Sequence, residues 1–212
     1  GGESSGPGSQ DVSAEEEFKR VIPAIKEIRK ISNIPISIDS YKSEIVEEAF
    51  RNGANIINDV TALRGDEKMA KIAAKLGCPI CLMYSKDNSA RTTVKEQTYT
   101  DIIKSLSNFF TERLKVAREA GIKESNIILD PGMGQFISSR AKFSFEIIAR
   151  LRELKSFKKE ILIGISRKSF LGGKIEERDK ISLPITAIAY LNGASIIRTH
   201  DPKGTREYLT KL

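Results

Sequence analysis

Six places along the chain carry residue types able to do chemistry, and each follows a short apolar run. They are Asp39 with Ser40, Asn58 with Asp59, Met83 with Tyr84, Asp130 followed by Pro-Gly-Met-Gly, the run Ser166, Arg167, Lys168 and Ser169, and Arg198 with His200. Any one of them alone reads as the solvated polarity of a surface loop; their succession, each at the end of an apolar run, reads as one rim. Asp39, Asn58 and Asp130 offer acceptors and an amide that suit the donor-rich edge of an amino-pyrimidinone ring, where an unpaired buried carboxylate would otherwise be costly. Arg167, Lys168, Arg198 and His200 offer donors and positive charge for an aromatic carbonyl, a phosphate or a leaving diphosphate. His200 is the sole histidine of the chain, and its place two residues after Arg198 puts both on one strand face.

The elements that must position these residues alternate regularly. The apolar runs give strands over Ile36–Asp39, Asn55–Val60, Pro79–Tyr84, Ile127–Asp130, Ile161–Ser166 and Ser195–His200. Helical spacing gives helices over Ser13–Ser32, Lys42–Asn52, Asp66–Leu76, Thr98–Ala120, Lys142–Leu154, Leu183–Asn192 and Gly204–Leu212. Ser13 with Glu16 has the spacing of a capping box, and Gly53, Gly77, Gly121 and Gly193 stand where helices need a left-handed residue to end. Pro23 falls inside the first helix as a kink site, and Pro184 suits the first turn of the sixth. Alternating strands and helices imply a parallel sheet, and strands that all end in polar residues fit a (β/α)8 barrel, whose functional groups gather at the C-terminal strand ends. The expected fold is therefore an α/β TIM barrel with its first one or two strands absent, residues 1–212 forming one domain. The opening Gly-Gly-Glu-Ser-Ser-Gly-Pro-Gly-Ser reads as the loop that follows a strand.

Composition narrows the classes. At 212 residues, 40% hydrophobic and 30% charged, the chain is large enough for a well-filled core and is not a disordered one. Apolar runs such as Ile161–Ile165 and Pro79–Tyr84 fall far short of the roughly 20 residues of a membrane span. The net charge of +7 comes from basic residues scattered among acids (EEEFKR, KEIRK, EERDK), which argues for solvated helix faces and against a nucleic-acid partner. Cys78 and Cys81 form CPIC, but three positions along one strand point to opposite faces, so buried structural thiols are expected in place of a metal site or disulfide. Free thiols without a signal peptide favour the cytoplasm.

The motifs GGESSGPG, ISIDS, IINDV, DPGMG, SRKSF and GASIIRTHDP, in this order and on these strands, resemble the dihydropteroate synthase family nearly end to end. The resemblance implies condensation of 6-hydroxymethyl-7,8-dihydropterin diphosphate with para-aminobenzoate, giving 7,8-dihydropteroate and diphosphate, with Mg²⁺ as cofactor. It implies that Asp39, Asn58, Asp130 and Lys168 hold the pterin. Arg198 and His200 would bind the diphosphate and, with Lys168, act in catalysis, while Ser4, Ser5, Pro7 and Ser169 would enclose para-aminobenzoate. No metal ligand is assigned, because the strand whose Asn contacts Mg²⁺ in this family lies outside the sequence.

Two motifs depart from the family pattern. ESTRPG is replaced by Glu3, Ser4, Ser5, Gly6, Pro7, Gly8, and GFGK by Gly134, Gln135, Phe136, Ile137. A pterin-dependent methyltransferase barrel is the nearest alternative, but it has no leaving diphosphate for Arg198 and His200 to stabilise. A non-catalytic pterin-binding barrel would not need Lys168, Arg198 and His200. The expected partners are small-molecule substrates, with no nucleic acid and no membrane, and a homodimer formed through the last helices around Leu183–Leu191.

Overall fold

The structure is a computed structural model that describes residues 2–212. Seven helices and six strands alternate along it: α1 (Ala14–Ile31), β1 (Ser37–Asp39), α2 (Ser43–Arg51), β2 (Ile56–Asp59), α3 (Met69–Leu76), β3 (Ile80–Met83), α4 (Ile102–Glu119), β4 (Ile127–Asp130), α5 (Ala141–Ala149), β5 (Glu160–Ile163), α6 (Ile175–Leu191), β6 (Ile196–Ile197) and α7 (Pro202–Leu209). The strands form one parallel sheet in chain order, β1 to β6. This is the wall of a (β/α) barrel traced strand by strand, as the alternation of elements predicts.

Register explains how polar residues of separate strands reach one face. Asp39 lies beside Asn58, Asn58 beside Cys81, and Met83 beside Asp130. With a side-chain period of two, Asn58 and Val60 point the same way, as do Cys81 and Met83. The other face takes the apolar residues: Ile57, Ile80, Leu82, Leu129, Ile161 and Ile163 are almost completely buried against Ile45 and Val46 of α2, Met69 of α3, Ile102, Leu106 and Phe110 of α4, and Ile147 of α5. β3 is buried at all four positions, the near-continuous burial expected of a parallel strand covered on both sides. Each such aliphatic side chain contributes roughly 1.5–3 kcal/mol on burial. Cys78 and Cys81 are buried free thiols as expected, although Cys78 precedes β3 and only Cys81 lies on it; burial raises the pKa of both. Among the described residues no helix is long and apolar enough to cross a membrane.

Element ends differ from the sequence reading where one local signal outweighed another. Ser13 caps α1 by accepting from the Glu16 N–H at 3.2 Å, but the Glu16 carboxylate turns to Arg20, so half of the expected capping box forms. Helix α6 begins at Ile175, eight residues before the predicted Leu183, because Glu177 accepts the Lys174 N–H at 2.9 Å and starts the helix there. Pro184 is consequently interior to α6. The carbonyl it leaves unpaired, on Lys180, belongs to an exposed residue that water can serve. After α5 the chain tightens into a 3-10 segment, Leu151–Phe157, where a continuous α-helix was expected. β6 is only two residues long, so Arg198 and His200 lie beyond its end and not within it. All four glycines expected to end helices have positive φ.

Candidate active site

A cleft of about 250 Å³ opens at the C-terminal ends of the strands, lined by Ser5, Asp39, Val60, Met83, Phe136, Gly164, Ser166, Lys168, Arg198, Thr199 and His200. Val60, Met83 and Phe136 form a separate apolar cluster, a wall suited to one face of a flat ring. The Lys168 ammonium sits 4.9 Å from the centroid of the Phe136 ring.

Asp130 and Asn58, both expected at the rim, do not line this cleft; they are buried next to Arg198 and Asp39, which do. Asp130 is 1% exposed; its Oδ1 accepts the Gly132 N–H at 2.8 Å and its Oδ2 accepts from Arg198 Nη2 at 3.2 Å. Burial pushes its pKa up, against the partial relief given by Arg198 and the Gly132 N–H. The acidic and basic groups that the sequence reading assigned to different parts of a ligand are thus in direct contact, Arg198 covering the Asp130 carboxylate. Gly164 makes this possible, since a Cβ there would stand 2.9 Å from Arg198 Nε. Asn58 is buried, and its Nδ2 has no hydrogen-bond partner among the described residues. A buried amide without a partner costs about 1–3 kcal/mol.

Other polar residues of the rim turn out to build the loops. Asp59, next to Asn58, is fully buried and accepts from the Thr61 N–H, the Thr61 hydroxyl and the Leu63 N–H at 2.6–2.8 Å. It holds Ala62 and Leu63 in left-handed backbone, at φ 50° and 68°. Arg167 faces away from the cleft into a forked ion pair with Asp179 of α6, at 2.9–3.1 Å. Lys168 is half-buried in the cleft. Desolvation first, and then the charge of Arg198, holds its ammonium pKa down to about 8.

The N-terminal loop closes one side. Lys42 donates to Glu3, Glu17 and the Val12 carbonyl, while Arg91, from the loop after β3, pairs with Glu3 and Asp11. The Ser5 carbonyl accepts the Thr92 N–H at 3.0 Å. Ser5 therefore lines both the main cleft and the smaller cavity beside it, where Ser4 also stands. Pro7 and Ser169 are exposed and line neither cavity.

Of the residues named from the sequence, Asp39, Lys168, Arg198, His200 and Ser5 meet in the cleft. Sequence reasoning did not nominate Val60, Gly164, Thr199 or Asp179. Val60 was reachable by stepping two residues on from Asn58; Asp179 carries no signal in the sequence, because only the packing of α6 brings it to the rim.

Comparison with known proteins matches residues 1–200 to the family model described as pterin binding enzyme. The chain belongs to the dihydropteroate synthase family of pterin-binding enzymes. It is 39% identical to the dihydropteroate synthase of Clostridium beijerinckii over 206 residues, 95% of this chain and 73% of that protein. It is 37% identical to that of Escherichia coli K12 over 211 residues, 98% of this chain and 73% of the relative. Among solved structures, the synthase from Clostridium difficile determined in the presence of pteroic acid superposes with a TM-score of 0.90 at 34% identity, covering 99% of this chain and 78% of that one. The Xanthomonas albilineans enzyme with 4-aminobenzoic acid gives 0.92 at 32% identity, covering 100% and 76%. For this family a site at the C-terminal strand ends is where the barrel places its chemistry.

Proposed function

We propose that this chain acts as a dihydropteroate synthase, joining 6-hydroxymethyl-7,8-dihydropterin diphosphate to para-aminobenzoate with release of diphosphate. One observation carries the reading: a single cleft joins an apolar wall of Val60, Met83 and Phe136 to the donors Lys168, Arg198 and His200, with the buried acceptor Asp130 held next to it by Arg198. The flat pterin would lie on that wall. Its amino-pyrimidinone edge would meet Asp130, and a ring acceptor would answer the open amide of Asn58. On this reading Arg198 exchanges Asp130 for the diphosphate as the pterin edge arrives.

As the C–O bond to diphosphate breaks, positive charge develops on the pterin methylene and negative charge on the departing oxygen. Arg198 and His200 stabilise the second charge. The amine nitrogen of the arylamine supplies the electron pair for the new C–N bond and gives up a proton, so no protein nucleophile is needed and positioning does the rest. Ser4, Ser5, Pro7 and Ser169 are proposed to enclose the arylamine. Among the described residues no three His, Cys, Asp or Glu side chains converge as a metal cage. Mg²⁺ is proposed as the cofactor that would accompany the diphosphate and help neutralise its charge.

The exposed Ile188, Tyr190 and Leu191 at the end of α6, with Tyr208 of α7, support a homodimer through these helices; the free thiols support a cytoplasmic location. The deciding experiment supplies both substrates and Mg²⁺ and follows pyrophosphate, beside Arg198→Ala. Release that needs both substrates and collapses in the variant is the expected result; pterin binding without release overturns the synthase reading in favour of a methyltransferase or binding barrel.

A further inference from the structure

The Ser166 hydroxyl sits between two groups that nothing in the reaction above uses together. Its Oγ lies 2.9 Å from His200 Nδ1, 3.2 Å from Asp179 Oδ1, and 3.4 Å from the His200 backbone nitrogen, whose N–H it accepts. A hydroxyl has one proton and two lone pairs. An ionised carboxylate can only accept, so the Ser166 proton goes to Asp179. The two lone pairs then remain for the backbone N–H and for Nδ1, and Nδ1 can meet a lone pair only as a donor. The opposite assignment would leave Oγ and Oδ1 facing each other with no proton between them. Arg167 reinforces the first arrangement: its forked pair with Asp179 lowers the carboxyl pKa and keeps it ionised.

We propose that Asp179 is a positioning residue that, through Ser166, fixes His200 with its proton on Nδ1 and leaves Nε2 as the nitrogen presented to the cleft. In the neutral ring Nε2 is then the acceptor and the place where a proton is taken up. Once protonated, Nε2–H is a donor for an anionic oxygen, and the Asp179 charge one hydroxyl away supports the imidazolium. The other charged groups at this corner are Arg167 beside Asp179, and Asp39, Lys168 and Arg198, which line the same cleft. The part of the inference that concerns the leaving group rests on the synthase reading; the tautomer does not.

Because His200 is the sole histidine, its two ring nitrogens give one pair of ¹⁵N resonances in the whole protein, which long-range ¹H–¹⁵N spectra assign to protonated or bare nitrogen. The test is made on the free protein above about pH 8, where an ordinary imidazole is neutral. The expected spectrum shows the proton on Nδ1 in the wild type and a shift toward the Nε2-protonated form in Asp179→Asn and in Ser166→Ala. Asp179→Glu should restore the wild-type pattern in part. Arg167→Gln, which removes the ion pair but keeps the carboxylate, should retain it.

An unchanged tautomer in both Asp179→Asn and Ser166→Ala overturns the proposal. So does a tautomer lost equally in Arg167→Gln, which would make loop order, not the carboxylate, the cause. In the pyrophosphate assay Asp179→Asn is expected to lower kcat roughly ten-fold with little change in the KM of the pterin diphosphate, less than the hundred-fold or more that deleting a donor to a developing anion costs. If the tautomer responds as expected but wild-type protein releases no pyrophosphate, the synthase reading fails alone.

Discussion

Replacing Lys168 by Met should make the protein more stable and less active, by an amount that depends on pH in a defined way. The ammonium is held from its ordinary 10.5 down to about 8, first by desolvation and then by Arg198. At about 1.4 kcal/mol for each tenfold in the proton equilibrium, keeping Lys168 charged in the folded state costs roughly 3 kcal/mol at neutral pH as an upper bound. Its contact with the Phe136 ring returns about 0.5–2 kcal/mol of that. Met is close in length and carries no charge, so the variant should gain about 1–2 kcal/mol at pH 7.

The sign over the pH range follows from the lowered value. Between about 8 and 10.5 the unfolded chain still holds the proton that the folded protein has released, so wild-type stability rises with pH and the cost disappears. Urea unfolding of both proteins at pH 7 and near pH 10 should therefore show a midpoint advantage for Lys168→Met at the lower pH that shrinks or vanishes at the higher. An advantage that stays constant, or a variant less stable at pH 7, would refute the reasoning. Pyrophosphate release should fall in the same variant, because the discarded charge is one the substrate is proposed to use; stability and activity then move in opposite directions.

Asn58→Leu removes a buried amide with no protein partner, so urea unfolding should show unchanged or slightly raised stability, while calorimetry shows pterin affinity reduced about ten-fold. Gly164→Ala places a Cβ 2.9 Å from Arg198 Nε. The guanidinium should be driven off Asp130, costing about 1–3 kcal/mol of stability in thermal unfolding and most of the pyrophosphate release. Arg91→Ala removes the partner of Asp11 and one of the two cations on Glu3; limited proteolysis should cut the segment 2–12 faster, and the KM for the arylamine should rise several-fold with kcat little changed.

The alternation of apolar runs and helical spacing predicted the six strands and their parallel order, because a parallel strand buried on both sides leaves a strong signal in a few residues. It was weaker at the ends. β6 was read as six residues and is two: the Arg198 N–H still bonds the Ile163 carbonyl of β5 at 2.9 Å, but the ladder ends there and the Arg198 and His200 side chains line the cleft. Pro184 looked like a beginning, and the exposed, charged segment before it, EERDK, carried no apolar face to reveal that α6 had already started. For the site, residue type located the rim but could not sort it. Asn58 and Asp59 are adjacent and both polar, yet one is open toward a ligand and the other is consumed by the Thr61–Leu63 turn. Arg167 and Lys168 are adjacent and both basic, yet only Lys168 enters the cleft, because Arg167 adopts a left-handed backbone, at φ 60°, that turns it to Asp179. These divisions depend on backbone direction and on a helix packed from elsewhere.

The strictly sequential order of the strands bears on how the protein is made. From β2 to β6 each strand pairs with the one synthesised just before it, so the wall can grow one βα unit at a time as the chain leaves the ribosome. The cleft has no such freedom. Its lining runs from Ser5 to His200, and Asp130, once β4 has folded, has a buried carboxylate whose counter-charge on Arg198 arrives only with β6. A nascent chain that ends short of that strand would hold Asp130 in its core with the Gly132 N–H but without its Arg198 partner.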